Sequence, residues 1–337
     1  MNPFNVDVLQ MKKNHHSIGV RTAELLKERR KIEMLESITK DSIDYESMKD
    51  VFFQFAPHLL EELEGLGETL QIPAKKAASL FSGYDVPKVA AMGCTAYVTN
   101  SFYVRNYDFS PEFYDGIFSI IKSNQGFASA GYNLQGIGRH DGVNEKGVVV
   151  GLHFVSNTHY AKGLSAWTTV RIILDTCSSV EEAINLLKDI PHVACYNFSL
   201  GDPGNFAVVE VSPKGVSIRR DKEFLSCFNN FKQPNMKDKN RPSIEGSLKR
   251  EHYLQQYEKE ALSREKLFQM FSDPASALFF TEYDKLFGTL HTFSYSFQES
   301  RVVTTIARGS TGLDFRLPDW LNGQDVEVQR LYGAIEM

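Results

Sequence analysis

The hydrophobic period of this chain changes near residue 92, and that change limits the folds open to it. Upstream, "SIGVRTAELLKERRKIEMLESI" and "SMKDVFFQFAPHLLEELEGLGETL" carry apolar side chains at helical spacing, the second run lying on either side of Pro57. Residues 15–80 are therefore expected to be helical. Downstream, "CTAYVT", "FYVRNYDF", "KGVVVGLHFVS", "FAVVEVS" and "GVSIRR" alternate apolar and polar residues between turn signals, as strands do. Two helices interrupt them, "GLSAWTTVRIILDTC" and "SSVEEAINLLKDI", the second opening on the capping-box pair Ser179 and Glu182. A third helix is expected near "SLKREHYLQQYEKEAL", followed by a final hairpin from "GTLHTFSYSF" and "SRVVTTIA". Runs of strands separated by runs of helices predict layered α+β packing rather than βαβ alternation. The polar stretch "KQPNMKDKNRPSIEGS" has the composition of a long mobile loop.

A chain of 337 residues with 42% hydrophobic side chains can bury a sizeable core. Its net charge of -5 argues against partners recognised through phosphate, so neither nucleic acid nor a membrane surface is expected. The opening "MNPFNVDVLQMKKNHH" lacks the apolar run of a signal peptide, and no stretch supplies the roughly 20 apolar residues of a membrane helix. These features predict a cytoplasmic protein. Cys94, Cys177, Cys195 and Cys227 form no CxxC and read as reduced thiols, small buried hydrophobes unless a setting says otherwise. Neither a metal-ligand cluster nor a Gly-rich phosphate loop is seen, so no cofactor is expected.

The setting of Cys94 differs from the other three. It follows Gly93 at the head of a polar hairpin, "GCTAYVTNSFYVRNYDF". If a two-residue loop "NS" joins the strands, Ala96 lies opposite Arg105 and Cys94 opposite Tyr107, so Cys94 and Arg105 share a face. A loop one residue longer sets Cys94 opposite Asp108 and turns Arg105 to the other face. Only a bulge or bend brings both charges to the thiol. The plainer alternative is a hairpin whose two charges reach solvent on opposite faces.

"MGCTAYV" followed by "VRNYD" resembles the start of the penicillin acyltransferase family (acyl-coenzyme A:isopenicillin-N acyltransferase), relatives of the choloylglycine hydrolases among the N-terminal-nucleophile hydrolases. The resemblance continues through "HHSIGVRTAELLK" and "LEELEGLGETLQIP" before the cysteine, and through "DGVNEKGVVVGLHF", "RIILDTCSSVEEAINLLKDIP" and "GDPGNFAVVEVSPKG" after it. It implies a four-layer αββα sandwich over residues 94–337, with residues 1–93 packed on it as a helical pro-segment that stays associated as a small subunit after self-cleavage between Gly93 and Cys94. A cysteine at a new N-terminus needs no histidine, because its own α-amino group, with a pKa of about 7.7–8.0, takes the thiol proton near neutral pH.

The resemblance also implies roles for other residues. Arg105 would lower the thiol pKa and orient the site, and Asp108 would hold the new α-amino group. Asn229 in "FLSCFNNF" would donate to the oxyanion, with Asn230 as the neighbouring candidate, and each is equally readable as a turn asparagine. Arg250 in "SLKREH" stands where choloylglycine hydrolases carry a second active-site arginine; otherwise it is a solvated charge at a helix start. His153 in "GLHF" departs from the relatives, where bile-salt hydrolases have asparagine. It either donates from an imidazole N–H to the substrate or is a satisfied strand histidine.

The expected chemistry is hydrolysis or transfer at a linear amide bond of a small acylated substrate, through an acyl-thioester on Cys94. Acyl-coenzyme A is an acyl partner this reading admits, and a homo-oligomer is compatible with it. The competing reading from another class is a binding protein of the same fold that is never cleaved. A papain-type peptidase is disfavoured, because the local signature around its cysteine is absent.

Overall fold

Two β-sheets stacked face to face form the centre of the structure, a computed structural model that describes residues 1–88, 93–257, 260–285 and 287–336. The smaller sheet runs in the order Phe224–Cys227, Gly93–Thr99, Phe102–Phe109, Phe287–Ser296, Arg301–Ile306, Gly312–Arg316, with Thr281–Glu282 added beside Phe287–Ser296. All its pairs are antiparallel. The larger sheet runs Gly215–Arg219, Phe206–Ser212, Cys195–Gly201, Val149–Ser156, Asp141–Asn144, Ser129–Leu134, Ile117–Lys122, Asn2–Lys12, Arg330–Ile335, with Gly138–Arg139 beside Ser129–Leu134. Among the described residues its one parallel pair joins Asn2–Lys12 to Ile117–Lys122. Hydrogen bonds cross between the sheets, Tyr132 to Thr304 and Tyr103 to Ser199, each 2.7 Å.

Helices cover both outer faces and complete the αββα sandwich. Ala166–Thr176 and Val180–Asp189 lie on the larger sheet, each capped by the serine before it, Ser165 and Ser179. Arg264–Ser272 lies on the smaller sheet, where Asn106 donates to the carbonyls of Phe271 (2.7 Å) and Leu278 (2.9 Å). The third expected helix is shorter than its sequence suggested, spanning Glu245–Gln255; residues 258 and 259 of that expectation lie outside the described residues. No helix of the described residues is long and apolar enough to cross a membrane.

The front of the chain is only partly the helical segment expected. Five helices lie between His15 and Phe81, but Asn2–Lys12 is a strand inside the larger sheet, between Ile117–Lys122 and Arg330–Ile335. Its side chains serve two cores. Phe4 and Val6 enter the layer between the sheets, whereas Leu9 and Met11 pack under the helices. The polar Asn5 and Asp7 hid this alternation. Asp7 is buried because Arg29 (2.8 Å) and Arg330 (2.6 Å) pair with it.

The helices His15–Glu28 and His58–Leu70 touch backbone to backbone. A Cβ on Gly19 would lie 2.1 Å from the Glu62 carbonyl oxygen, and one on Gly65 would lie 2.2 Å from that of His16. A buried charged set ties this pair to Ala166–Thr176. Arg171 bonds both Glu62 and Asp175, His15 meets Glu62 (2.6 Å), and His58 meets Asp175 (3.0 Å).

Candidate active site

The hairpin at Cys94 takes the two-residue-loop register, with Cys94 opposite Tyr107, Ala96 opposite Arg105 and Gly93 opposite Asp108. Cys94 and Arg105 therefore point together into the layer between the sheets, and Asp108 points to the other side of its strand. The thiol is wholly buried, with Arg105 Nη2 donating to Cys94 Sγ at 3.1 Å. The rest of the guanidinium is held by the larger sheet. Nη1 donates to Asp141 and to the His140 carbonyl (3.1 Å), and Nη2 also donates to the Leu152 carbonyl. Gly151 makes room for this, because a Cβ there would lie 2.3 Å from Tyr103 Oη and 2.6 Å from Arg105 Cδ.

A second group of residues holds the backbone of Cys94. Its N–H donates to Asn229 Oδ1 (2.8 Å), and its carbonyl accepts from Arg250 Nη1 (2.7 Å). Arg250 also donates to Thr95 Oγ1 (2.7 Å) and Asn229 Oδ1 (3.0 Å). Asn229 in turn donates one amide hydrogen to the Phe154 carbonyl at 2.9 Å. Asp108 accepts from Thr289 Oγ1 at Oδ1 (2.7 Å); its Oδ2 is buried without a hydrogen bond, 3.7 Å from Arg250 Nη1.

The hairpin itself carries no bulge, so Asp108 stays on the face away from the thiol; a register slip lies instead in the neighbouring strand. The pairing of Phe287–Ser296 with Phe102–Phe109 slips between Thr289 and His291, so Thr289 faces Asp108 while His291, two residues on, faces Tyr107. Thr289 thereby serves the Asp108 side, and His291 serves the thiol side, its Nε2 meeting Asp141 Oδ2 at 2.8 Å.

A model of the acyl-coenzyme A:6-aminopenicillanic acid acyl-transferase family matches residues 97–311, more than half of the chain. The chain belongs to that family. Arg105, Asp108, His153, Asn229, Asn230 and Arg250 lie inside the matched span, and Cys94 lies three residues before it. Similar solved structures include penicillin V acylase from Agrobacterium tumefaciens, at 14% identity over 67% of this chain and 86% of that one, with a TM-score of 0.42. A conjugated bile acid hydrolase from Clostridium perfringens aligns at 12% identity over 73% and 96%, TM-score 0.45. The N-acylethanolamine-hydrolyzing acid amidase ortholog of Caenorhabditis elegans aligns at 13% over 60% and 92%, TM-score 0.43. No curated protein matches.

In this family member, burial dominates the titration of the site. It pushes the Cys94 thiol up to about 11; Arg105 pulls the other way and Asp108 adds to the rise. Arg105 thus acts in the lowering direction, but desolvation of a wholly buried thiolate outweighs one cation. Burial also pushes Asp108 up to about 6 against Arg250, Thr289 and Arg105. For Asp141 the balance reverses. Burial favours its neutral form, but His291 and Arg105 hold the carboxyl well below the usual range.

His153 is buried on Val149–Ser156 and meets Ser199 Oγ at 2.9 Å through Nε2, while burial, then Arg105, keeps it neutral. Asn230 does not join the Cys94 backbone group; its carbonyl accepts from Asn197 Nδ2 at 2.9 Å. The same Asn197 amide bonds the Phe228 carbonyl, so it fixes the turn that presents Asn229. The stretch read as a mobile loop is anchored, because Asn240 bonds the Phe231 backbone twice (2.7 and 3.1 Å) and Ser156 bonds the Lys239 carbonyl. Arg241 in that stretch adds a positive charge that acts on both the thiol and Arg250. Asp141, Thr289, His291, Asn197 and Arg241 were not singled out in the sequence. The one available signal was Asp141 in "DGVNEKG", a block that carries the family resemblance without pointing to the aspartate itself.

Proposed function

We propose that this protein is a self-processing N-terminal cysteine amidase or acyltransferase acting on a linear amide bond of a small acylated substrate. The observation that carries the reading is the second group around Cys94. Its N–H already rests on Asn229, and across the ladder from Gly93 stands Asp108, buried, with Oδ2 free of any hydrogen bond. Attack of the Cys94 thiol on the Gly93 carbonyl, followed by hydrolysis, leaves an α-amino group at Cys94. Asn229 Oδ1 and Asp108 Oδ2 are the acceptors such a group needs.

The free amine then takes the thiol proton, the sulfur adds to the substrate carbonyl, and the substrate's amine leaves with that proton. Water releases the acyl group as an acid, or a second amine accepts it. Acyl-coenzyme A is an alternative acyl donor to the same sulfur. Arg105 orients the sulfur, and the second amide hydrogen of Asn229, beyond the one given to Phe154, is available to the oxyanion. His153 and Asn230 serve the substrate side. The reading is tested by turnover of a simple acyl amide. Wild-type protein hydrolyses it and Cys94→Ala does not; turnover retained in Cys94→Ala overturns the mechanism.

A further inference from the structure

His291 and Tyr114 take no part in the chemistry above, yet they close a buried network that ends on the thiol. Tyr114 Oη meets His291 Nδ1 at 2.7 Å, His291 Nε2 meets Asp141 Oδ2 at 2.8 Å, and Arg105 Nη1 bonds that same oxygen. Arg105 Nη2 then reaches Cys94 Sγ at 3.1 Å. Burial, opposed by Asp141, leaves His291 neutral, which assigns its one proton. A carboxylate only accepts, so Nε2–H donates to Asp141 and Nδ1 accepts from the Tyr114 phenol. The ring is fixed in its plane by Tyr132, stacked on it at 3.7 Å between centroids and 15° between planes.

Both sheets build this network. Arg105 and His291 come from adjacent strands of the smaller sheet, while Asp141 and Tyr132 come from the larger. Arg105 is bound at once by Asp141, the His140 carbonyl, the Leu152 carbonyl and the thiol, so it cannot turn without breaking several bonds. We infer that Asp141, clamped by His291 and Tyr114, is a positioning residue that fixes Arg105 against the Cys94 sulfur and takes up part of its charge. The catalytic meaning of this rests on the reading of Cys94 as nucleophile; the geometry does not.

Sharing the charge has a chemical purpose. A lone arginine against a thiol acidifies it. Asp141 lets Arg105 aim the sulfur while leaving less of its charge to offset the burial that raises the thiol. The charged or titratable groups acting on the thiol include Arg105, Asp108, Arg250, Arg241, Tyr107 and Cys227, and those facing Asp141 include Arg105, His291, His140, Arg139, Tyr103, Tyr114 and Tyr132. Neutralising Asp141 therefore changes the share of Arg105 that reaches the sulfur.

The test is the pH profile of alkylation of Cys94 by iodoacetamide, read by mass spectrometry of the Cys94 peptide, in wild type, Asp141→Asn, His291→Ala and His291→Gln. Asp141→Asn should move the midpoint down by about one pH unit, making alkylation about tenfold faster below both midpoints. His291→Ala should move it up, because Asp141 without the imidazole N–H claims more of Arg105, and His291→Gln, which keeps a donor, should return it towards wild type. A purely structural role would lower the unfolding midpoint of Asp141→Asn and leave the alkylation profile in place, which overturns the inference. If Asp141→Asn does not fold, the histidine pair decides: a difference between Ala and Gln supports the inference, and identical profiles overturn it. Failure of the amidase reading shows separately, as turnover by Cys94→Ala.

Discussion

Replacing Asp108 with asparagine should stabilise the uncut protein at neutral pH while abolishing its use. Burial raises the Asp108 carboxyl to about 6 in the folded chain, against 3.8 for an unperturbed group. A carboxyl whose folded pKa is raised contributes stability below its unfolded pKa, and that contribution is lost as pH climbs through the folded value. Across about two pH units, at about 1.4 kcal/mol for each, the native state is worth about 3 kcal/mol less at pH 7 than at pH 4 on account of this one group. Asparagine never ionises and still offers an oxygen to the Thr289 hydroxyl, so it escapes that loss. The comparison belongs in a Cys94→Ala background, where no α-amino group forms. Urea denaturation at pH 4 and pH 7 should find the Asp108→Asn chain equal to its parent at the lower pH and more stable by about 2–3 kcal/mol at the higher. A variant less stable at pH 7 than its parent, by more than at pH 4, would refute the argument, because Asp108 would then be a stabilising ion-pair partner of Arg250 rather than a strained charge.

Other consequences follow from the same geometry. Gly151→Ala places a Cβ 2.3 Å from Tyr103 Oη and 2.6 Å from Arg105 Cδ, so it should cost about 1–3 kcal/mol by denaturation and slow processing about a hundredfold by displacing Arg105 roughly 1 Å; unchanged processing, followed by intact mass, would refute it. On the resemblance that sets His153 at the position where bile-salt hydrolases carry asparagine, turnover of a glycine-conjugated bile salt should be weak beside that of a phenoxyacetyl or fatty-acyl amide; a preference for the bile salt would show the pocket to be misread. Since Asn2–Lys12 lies between two strands of the larger sheet, pieces formed by a cut at Gly93 should co-elute in gel filtration and part only in denaturant; separation in native buffer would contradict this.

Local features were legible in the sequence, and long-range ones were not. The hairpin register at Cys94 is the two-residue-loop alternative of the two the sequence left open, and the serine caps and helical spacing placed Ala166–Thr176 and Val180–Asp189. Asn2–Lys12 escaped because its buried Asp7 needs Arg29 and Arg330, the second more than 300 residues away in sequence. Asp141 and His291 meet across 150 residues, and each looks ordinary in its own segment. The slip at Thr289 to His291 has a local marker in Gly288, immediately before it in "GTLHTFSYSF", but that stretch reads simply as one strand of a hairpin. Arg105 itself was readable, but its balance of burial against charge was not, because burial exists only once the sheets stack.

The central claim is that Cys94 cuts the chain before it and then works from the new N-terminus. Intact mass and N-terminal sequencing of purified wild-type protein test it most directly. The account predicts two chains, residues 1–93 and 94–337, with the second beginning Cys-Thr-Ala-Tyr, and a single chain for Cys94→Ala. Wild-type protein that stays one chain while turning over an amide would contradict it.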